Sequence, residues 1–417
     1  MKPGWLSDPE INAMNEPLYH NENWWVSPFN YLPESRRGFE PPARVKFHDC
    51  TLRDGEQTPG ITFRAEEKAR IARELDAAGV DRIEVAFPAV SDEDARAVRA
   101  VAELGLNADI FTFCRAREDD VDLAVACGAD GIILEFPCGE PRMVHQFAKW
   151  TEQDVIHLVV RMGKYAKDKG LYVVLFPLDA TRARPDFFRR LMDEAGTQPE
   201  MDSVVLVDTT GSLTPQAAEV LVRDLRRRTG KPIEVHTHSD FGMGVAVSLA
   251  AVAAGAETIH VSVCGIGERT GNVALEEAAV AAKALYNFDS NIRFDRLFDL
   301  AQKVREISGF PLAPNKPVVG ERAFTRESGL GVEFVKTAPL VLYGLHPRVV
   351  GRAPEYVLGK KSGLASITMK LEDLGLPPLP KDKVEAALKA VKELGIRKKG
   401  LVSDDEFRAI VADTANR

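Results

Sequence analysis

No run of the 417-residue chain approaches 18 consecutive apolar residues, so no transmembrane helix is expected. The opening stretch, MKPGWLSDPE, lacks the basic-then-apolar order of a secretory signal. Positive charge is not in excess: 54 Lys and Arg stand against 62 Asp and Glu, a net charge of −8. That balance argues against nucleic acid or an anionic membrane as the main partner. Cysteine is scarce. Its five copies, at 50, 114, 127, 138 and 264, are odd in number, fit no zinc spacing and read as reduced thiols of a cytoplasmic protein. Also missing is a G-x-G-x-x-G turn after the first apolar segment, where TLRDGEQ stands instead, which removes the main signature of an open dinucleotide-binding sheet. The remaining composition, 45% hydrophobic and 28% charged, is that of an ordinary globular chain.

Residues 1–43 carry NENWWVSPFNYLPE and no periodicity; aromatics this dense predict an arm packed on the domain or on a second subunit. From residue 45 the pattern changes to short β-branched or aromatic runs: VKFHDC, RIEVAF, DIFTFC, GIILEF, YVVLF, SVVLVD, IEVHTH and TIHVSV. Helical patterns such as AEEKARIARELDAAG and PQAAEVLVRDLRRRTG lie between them and end at glycine. Eight strands alternating with helices predict an α/β fold, a (β/α)8 TIM barrel over 44–288. Residues 289–417 lose the alternation and predict small, mostly helical C-terminal subdomains.

Barrel chemistry collects at the C-terminal ends of the strands. The seventh strand ends in His236-Thr237-His238, and the period of two turns both imidazoles to the mouth, half of a divalent metal site. The first strand ends in Arg53-Asp54, and the ends of strands one and seven are near neighbours round the ring, so Asp54 supplies an anionic oxygen. After strand eight, CGIGERTGN offers Asn272 to the same ion, which Mg²⁺, Mn²⁺ or Zn²⁺ would suit. Strand six ends in Asp208-Thr209, a carboxylate and a hydroxyl at the mouth. Glu84 on strand two reads either as the ion-pair partner of a neighbouring arginine or as a catalytic carboxylate.

HDCTLRDGEQ, IEVAFP, LVDTTG, EVHTHSDFGMG and GIGERTGN together resemble, in order, the signature segments of the DRE-TIM metallolyase superfamily. Its members include isopropylmalate, homocitrate and citramalate synthases and the hydroxymethylglutaryl-CoA lyases. NKPVVGERAF, ESG and VLGKKSG resemble the C-terminal pieces of the synthase branch, in a layout similar to that of homocitrate synthases. The resemblance implies Asp54, His236 and His238 as metal ligands, with Asn272 near or on the metal. It implies that Arg53 faces the 2-oxo oxygen of a substrate and that Thr209 holds that substrate's carboxylate; Gln57 and Asp208 are expected to join them at the substrate site. The reaction implied is a Claisen-type condensation of an acyl-CoA with a 2-oxo acid; the alternative is a metal-dependent lyase or aldolase cleaving a 3-hydroxy acid or 3-hydroxyacyl-CoA. The synthases' assembly implies a homodimer or a higher homo-oligomer.

Two departures stand out. The synthases carry a glutamate before the Asp-Ala pair that follows strand five, where this chain has Leu178, and a histidine after a Ser-Gly pair, where it has Gly331. Those groups normally handle the acyl-CoA proton. Asp179 and Tyr356 are the leading replacements, ahead of Arg326 and His346.

Overall fold

The computed structural model describes residues 16–416. Eight parallel strands close into a barrel in sequence order: β1 Lys46–Asp49, β2 Arg82–Ala86, β3 Asp109–Arg115, β4 Gly131–Pro137, β5 Tyr172–Leu178, β6 Ser203–Asp208, β7 Ile233–Thr237 and β8 Thr258–Val261. The ring shuts where β1 pairs with β8, with His48 opposite His260. The expected barrel is the observed one. Strand five runs two residues beyond its expected end, through Pro177, because its pairing with β4 continues to Leu178. Strands such as Ser203–Asp208 are buried at every position, facing packed side chains inside and the helix layer outside.

Local signals explain the helices. Ala65–Ala78 starts where Glu67 accepts the Arg64 backbone N–H, and stops at Gly79 in the left-handed region. Pro215–Thr229 opens with the Thr214 hydroxyl accepting from the Ala217 N–H and a proline in its first turn, and closes on left-handed Gly230.

The chain forms two compact units. The first runs from Pro28 to Leu312 and holds the barrel, so the helix Leu297–Ser308 belongs with it. Within it, the Tyr31 hydroxyl donates to the Ala284 carbonyl and the Glu40 N–H to that of Ala253, tying the segment before β1 to the barrel's helices. The second unit joins residues 16–27 to 313–416. There the Trp25 N–H donates to Gly344, and His20 stacks on the Trp25 ring at 4.1 Å. The dense aromatic arm is thus divided between the two units. Three helices of the second unit, Leu364–Asp373, Lys381–Lys398 and Asp404–Asn416, enclose an apolar core that includes Ile367, Leu371, Val391 and Phe407.

Candidate metal centre and its cavity

The mouth of the barrel is built from the turn after β1 and the end of β7. Directly after β1 the backbone coils, with the N–H groups of Arg53, Asp54 and Gly55 all donating to the Cys50 carbonyl. This turn brings Asp54 beside the histidines that end β7. The Asp54 Oδ2 lies 3.4 Å from His236 Nε2 and 3.9 Å from His238 Nε2. The chain after β8 returns beside His238 and bridges to it at Asn272. Left-handed Gly271 allows this return, since a side chain there would collide with the Gly265 carbonyl.

Asp54, His236, His238 and Asn272 are all buried. Yet Asp54 Oδ1, His236 Nδ1, His238 Nδ1 and Asn272 Oδ1 have no hydrogen-bond partner. Buried polar atoms left unpaired are costly, and what converges here is the Nε2 atom of each ring, both within 4 Å of the Asp54 carboxylate. Burial, then His238 and His260, push the His236 imidazole well below its usual range, and burial lowers His238 against the pull of Asp54. Both rings are therefore neutral, the form a metal ion requires. Two nitrogens and a carboxylate, with an amide oxygen beside them, fit a divalent cation. The Cys50 Sγ also lies near Asp54 and His236, but it donates to the Val261 carbonyl, and burial and the neighbouring carboxylates keep it a thiol.

Arg53 is held tightly. Its Nε and Nη2 donate to Glu84 at 2.5 and 3.2 Å, its Nη1 lies 3.2 Å from Asp54, and its guanidinium rests on the Phe113 ring. Burial opposes its charge, but Glu84 and Asp54 outweigh that and keep it protonated. Burial likewise disfavours the Glu84 carboxylate, yet Arg53 and His48 bring it down to about 2. Glu84 makes the ion pair with a neighbouring arginine, Arg53. The Gln57 Oε1 accepts from Arg53 Nη1 and lines the mouth. The Thr209 hydroxyl oxygen accepts the Asp179 backbone N–H at 2.9 Å, so its proton is free to be donated into the cavity, which Thr209 lines.

Not every expected residue arrives there. Asp208 caps its own loop instead, accepting from the Ser212 and Leu213 N–H groups and the Thr181 hydroxyl. Asp179 is left-handed at φ 63°, and its carboxylate packs against Gly139 and makes a two-point ion pair with Arg182. The chain does turn after β5 as expected, but it aims Asp179 away from the cavity, and Leu178 faces the cavity instead. Tyr356 lies in the second unit, where its hydroxyl donates to Asp373. Arg269 clamps the rim, donating to both Asp240 carboxylate oxygens and to the Thr209 carbonyl.

The cavity, of about 660 Å³, is walled by Phe87, Phe113, Phe176 and Leu178, with Arg115, Glu135 and Arg142 among them. Glu135 escaped the sequence reading, although it is the one charged residue of GIILEFP, and strand parity marks it as inward. Deeper in the barrel the rings of His48 and His260 stack at 4.3 Å, with Glu84 on one and Glu234 on the other; Glu234 also takes Arg82 at 2.7 Å. Ligand atoms of His48, Glu234 and His260 lie close enough together to hold an ion. Only the β1–β8 register brings those two histidines to one level.

Residues 44–304 match the HMGL-like family. Over 91% of this chain and 95% of the relative, the sequence is 42% identical to homocitrate synthase AksA of Methanopyrus kandleri. It is 37% identical to the 2-isopropylmalate synthase of Methanocaldococcus jannaschii, over 96% of this chain and 76% of that one. Among solved structures, the HMG-CoA lyase of Bacillus subtilis shares the fold, with a TM-score of 0.59 at 18% identity, over 65% of this chain and 96% of that chain.

Proposed function

The chain belongs to the HMGL-like family, and on that premise we propose that it is an acyltransferase that condenses an acyl-CoA with a 2-oxo acid in a Claisen-type reaction. The observation that carries this reading is the convergence of the His236 and His238 Nε2 atoms on the Asp54 carboxylate, with Asn272 bridged to His238, at a cavity that Arg53 and Thr209 also line. Asp54, His236 and His238, with Asn272 beside them, would hold a divalent ion, which would supply Lewis-acid polarisation of a 2-oxo acid's carbonyl. Arg53 is locked by Glu84 and Gln57, so its remaining N–H groups meet the developing alkoxide without reorganising. Thr209 donates its free proton to the substrate carboxylate, and the Asp179 N–H fixes the direction in which it does so. Phe87, Phe113, Phe176 and Leu178 give the acyl group an apolar wall to lie against.

The ion is Mg²⁺, Mn²⁺ or Zn²⁺, and the setting a cytoplasmic one. We assign a homodimer or larger assembly, supported by Trp25 and Phe29, which are about half exposed.

The reading is tested with purified protein, Mg²⁺ or Mn²⁺, a panel of 2-oxo acids, and acetyl-, propionyl- and malonyl-CoA, following release of free thiol. Thiol release is expected with one pairing. His236→Ala and His238→Ala should each lower bound metal and cut turnover at least about 10³-fold, since an ion contributes several kcal/mol to the transition state. Cleavage of a 3-hydroxy acid or 3-hydroxyacyl-CoA, with no thiol release from any acyl-CoA, would overturn it in favour of a lyase.

A further inference from the structure

Condensation requires a base for the α-proton of the acyl group, and the position expected to hold one is occupied by Leu178. Six carboxylates line the cavity. Asp54 belongs to the metal centre. Glu56 accepts the Phe63 N–H and pairs with Lys68 at 2.7 Å, while Asp94 takes the Ser91 hydroxyl and the same lysine. Glu93 accepts the Ala65 N–H and pairs with Arg96, and Glu268 pairs with Arg269. Each of these is engaged. The sixth, Glu135, makes no hydrogen bond or ion pair to any described residue.

Strand geometry shows where Glu135 points. It lies opposite Arg115 of β3 and Phe176 of β5 in the parallel register, and paired residues on neighbouring strands face the same side. The Phe176 ring meets His236 edge-on at 5.2 Å and Phe113 at 5.9 Å, and Phe113 carries the Arg53 guanidinium. Glu135 is therefore beside the wall that joins the metal centre to Arg53. It also stands two residues deeper than Pro137, the strand partner of Leu178.

We propose that Glu135 is the base that removes the α-proton of the acyl-CoA, so that the proton-handling group of this chain stands on β4 and not after β5. The proposal rests on the condensation reading above. The α-carbon–hydrogen bond breaks and the proton passes to a Glu135 carboxylate oxygen, leaving its electron pair on the α-carbon. That carbon bonds to C2 of the 2-oxo acid, whose carbonyl π pair moves to oxygen beside Arg53. A proton from water completes the hydroxyl, Glu135 returns its own proton to solvent, and water then cleaves the thioester to a carboxylic acid and the free thiol. Burial raises the basicity of Glu135 against the opposing pull of Arg142, Arg53 and Arg115, in the direction a base needs.

The test uses the full-length protein with metal and the acyl-CoA that the wild type turns over, reading thiol release and, in D₂O, deuterium entry at the α-carbon. Glu135→Gln keeps the shape; it should lower turnover about 10²-fold or more and abolish deuterium entry, with metal content and the KM for the 2-oxo acid unchanged. Glu135→Asp keeps a carboxylate and should retain exchange at a reduced rate. Equal exchange by the Gln and Asp variants, or Gln turnover within a few-fold of wild type, overturns the assignment of Glu135 and leaves the condensation reading standing. Absence of thiol release by the wild type with every acyl-CoA overturns both.

Discussion

The core of the C-terminal helices and the axis of the barrel are both shielded from water, yet they are filled differently. Among the helices the buried side chains are hydrocarbon: Ile367, Leu371, Val391 and Phe407. Along the barrel axis lie Arg53, Glu84, His48, His260, Glu234 and Arg82, as a column of buried ionisable groups. Hydrocarbon cores stabilise through burial. Buried ion pairs roughly break even against apolar replacements, because desolvation offsets their attraction. The column therefore contributes little net stability. What its geometry does achieve is orientation, since Glu84 fixes the plane of the arginine that reaches the mouth.

Removing one charge from the column tests this contrast most severely. Glu84→Gln strands Arg53 without its main partner and should cost about 4 kcal/mol in denaturant unfolding, with turnover falling too. A loss below about 1 kcal/mol, typical of exposed pairs, would erase the contrast. Phe407→Ala probes the other side: a buried ring lost from hydrocarbon should destabilise the C-terminal helices by about 3 kcal/mol while bound metal stays unchanged. A parallel fall in metal content would mean the two interiors do not act separately.

The smallest effect is a pH slope. Burial, and then His260, lower the His48 imidazole from 6.5 to about 4. Between those values the unfolded chain binds a proton that the folded chain refuses, so His48 makes stability fall as pH falls from about 6.5 to about 4. His48→Asn should flatten that part of the acid unfolding profile, and an unaltered difference between wild type and variant across this window would exclude the effect. The hydrocarbon core has no titrating group to give such a slope.

Much of this was legible in the residues. Period-two runs alternating with glycine-ended helices give the barrel, and His-x-His at a strand end gives the facing imidazoles. Asp54 follows from ring adjacency alone. Asp179 was harder: whether it faces the mouth depends on one dihedral angle, and the chain adopts a left-handed turn that no spacing reveals. The His48–His260 stack needed the register across the closing seam, which is a property of pairing and not of either strand. Glu135 had a signal, a lone carboxylate in an apolar strand, but its importance appears only once its neighbours are seen to be engaged.

The Arg269 clamp has a consequence for how ligands arrive. By gripping Asp240 and the Thr209 carbonyl it joins the segments that follow β6, β7 and β8 into one rigid arc. The Ser239 N–H, which donates to the Gly271 carbonyl, adds a second rivet. The entropy of ordering that arc is lost during folding, before any substrate comes. On the opposite rim Val90 is exposed and the short helix Glu140–His145 has no buried residue. The mouth thus has one side tied across three loops and another presented to solvent.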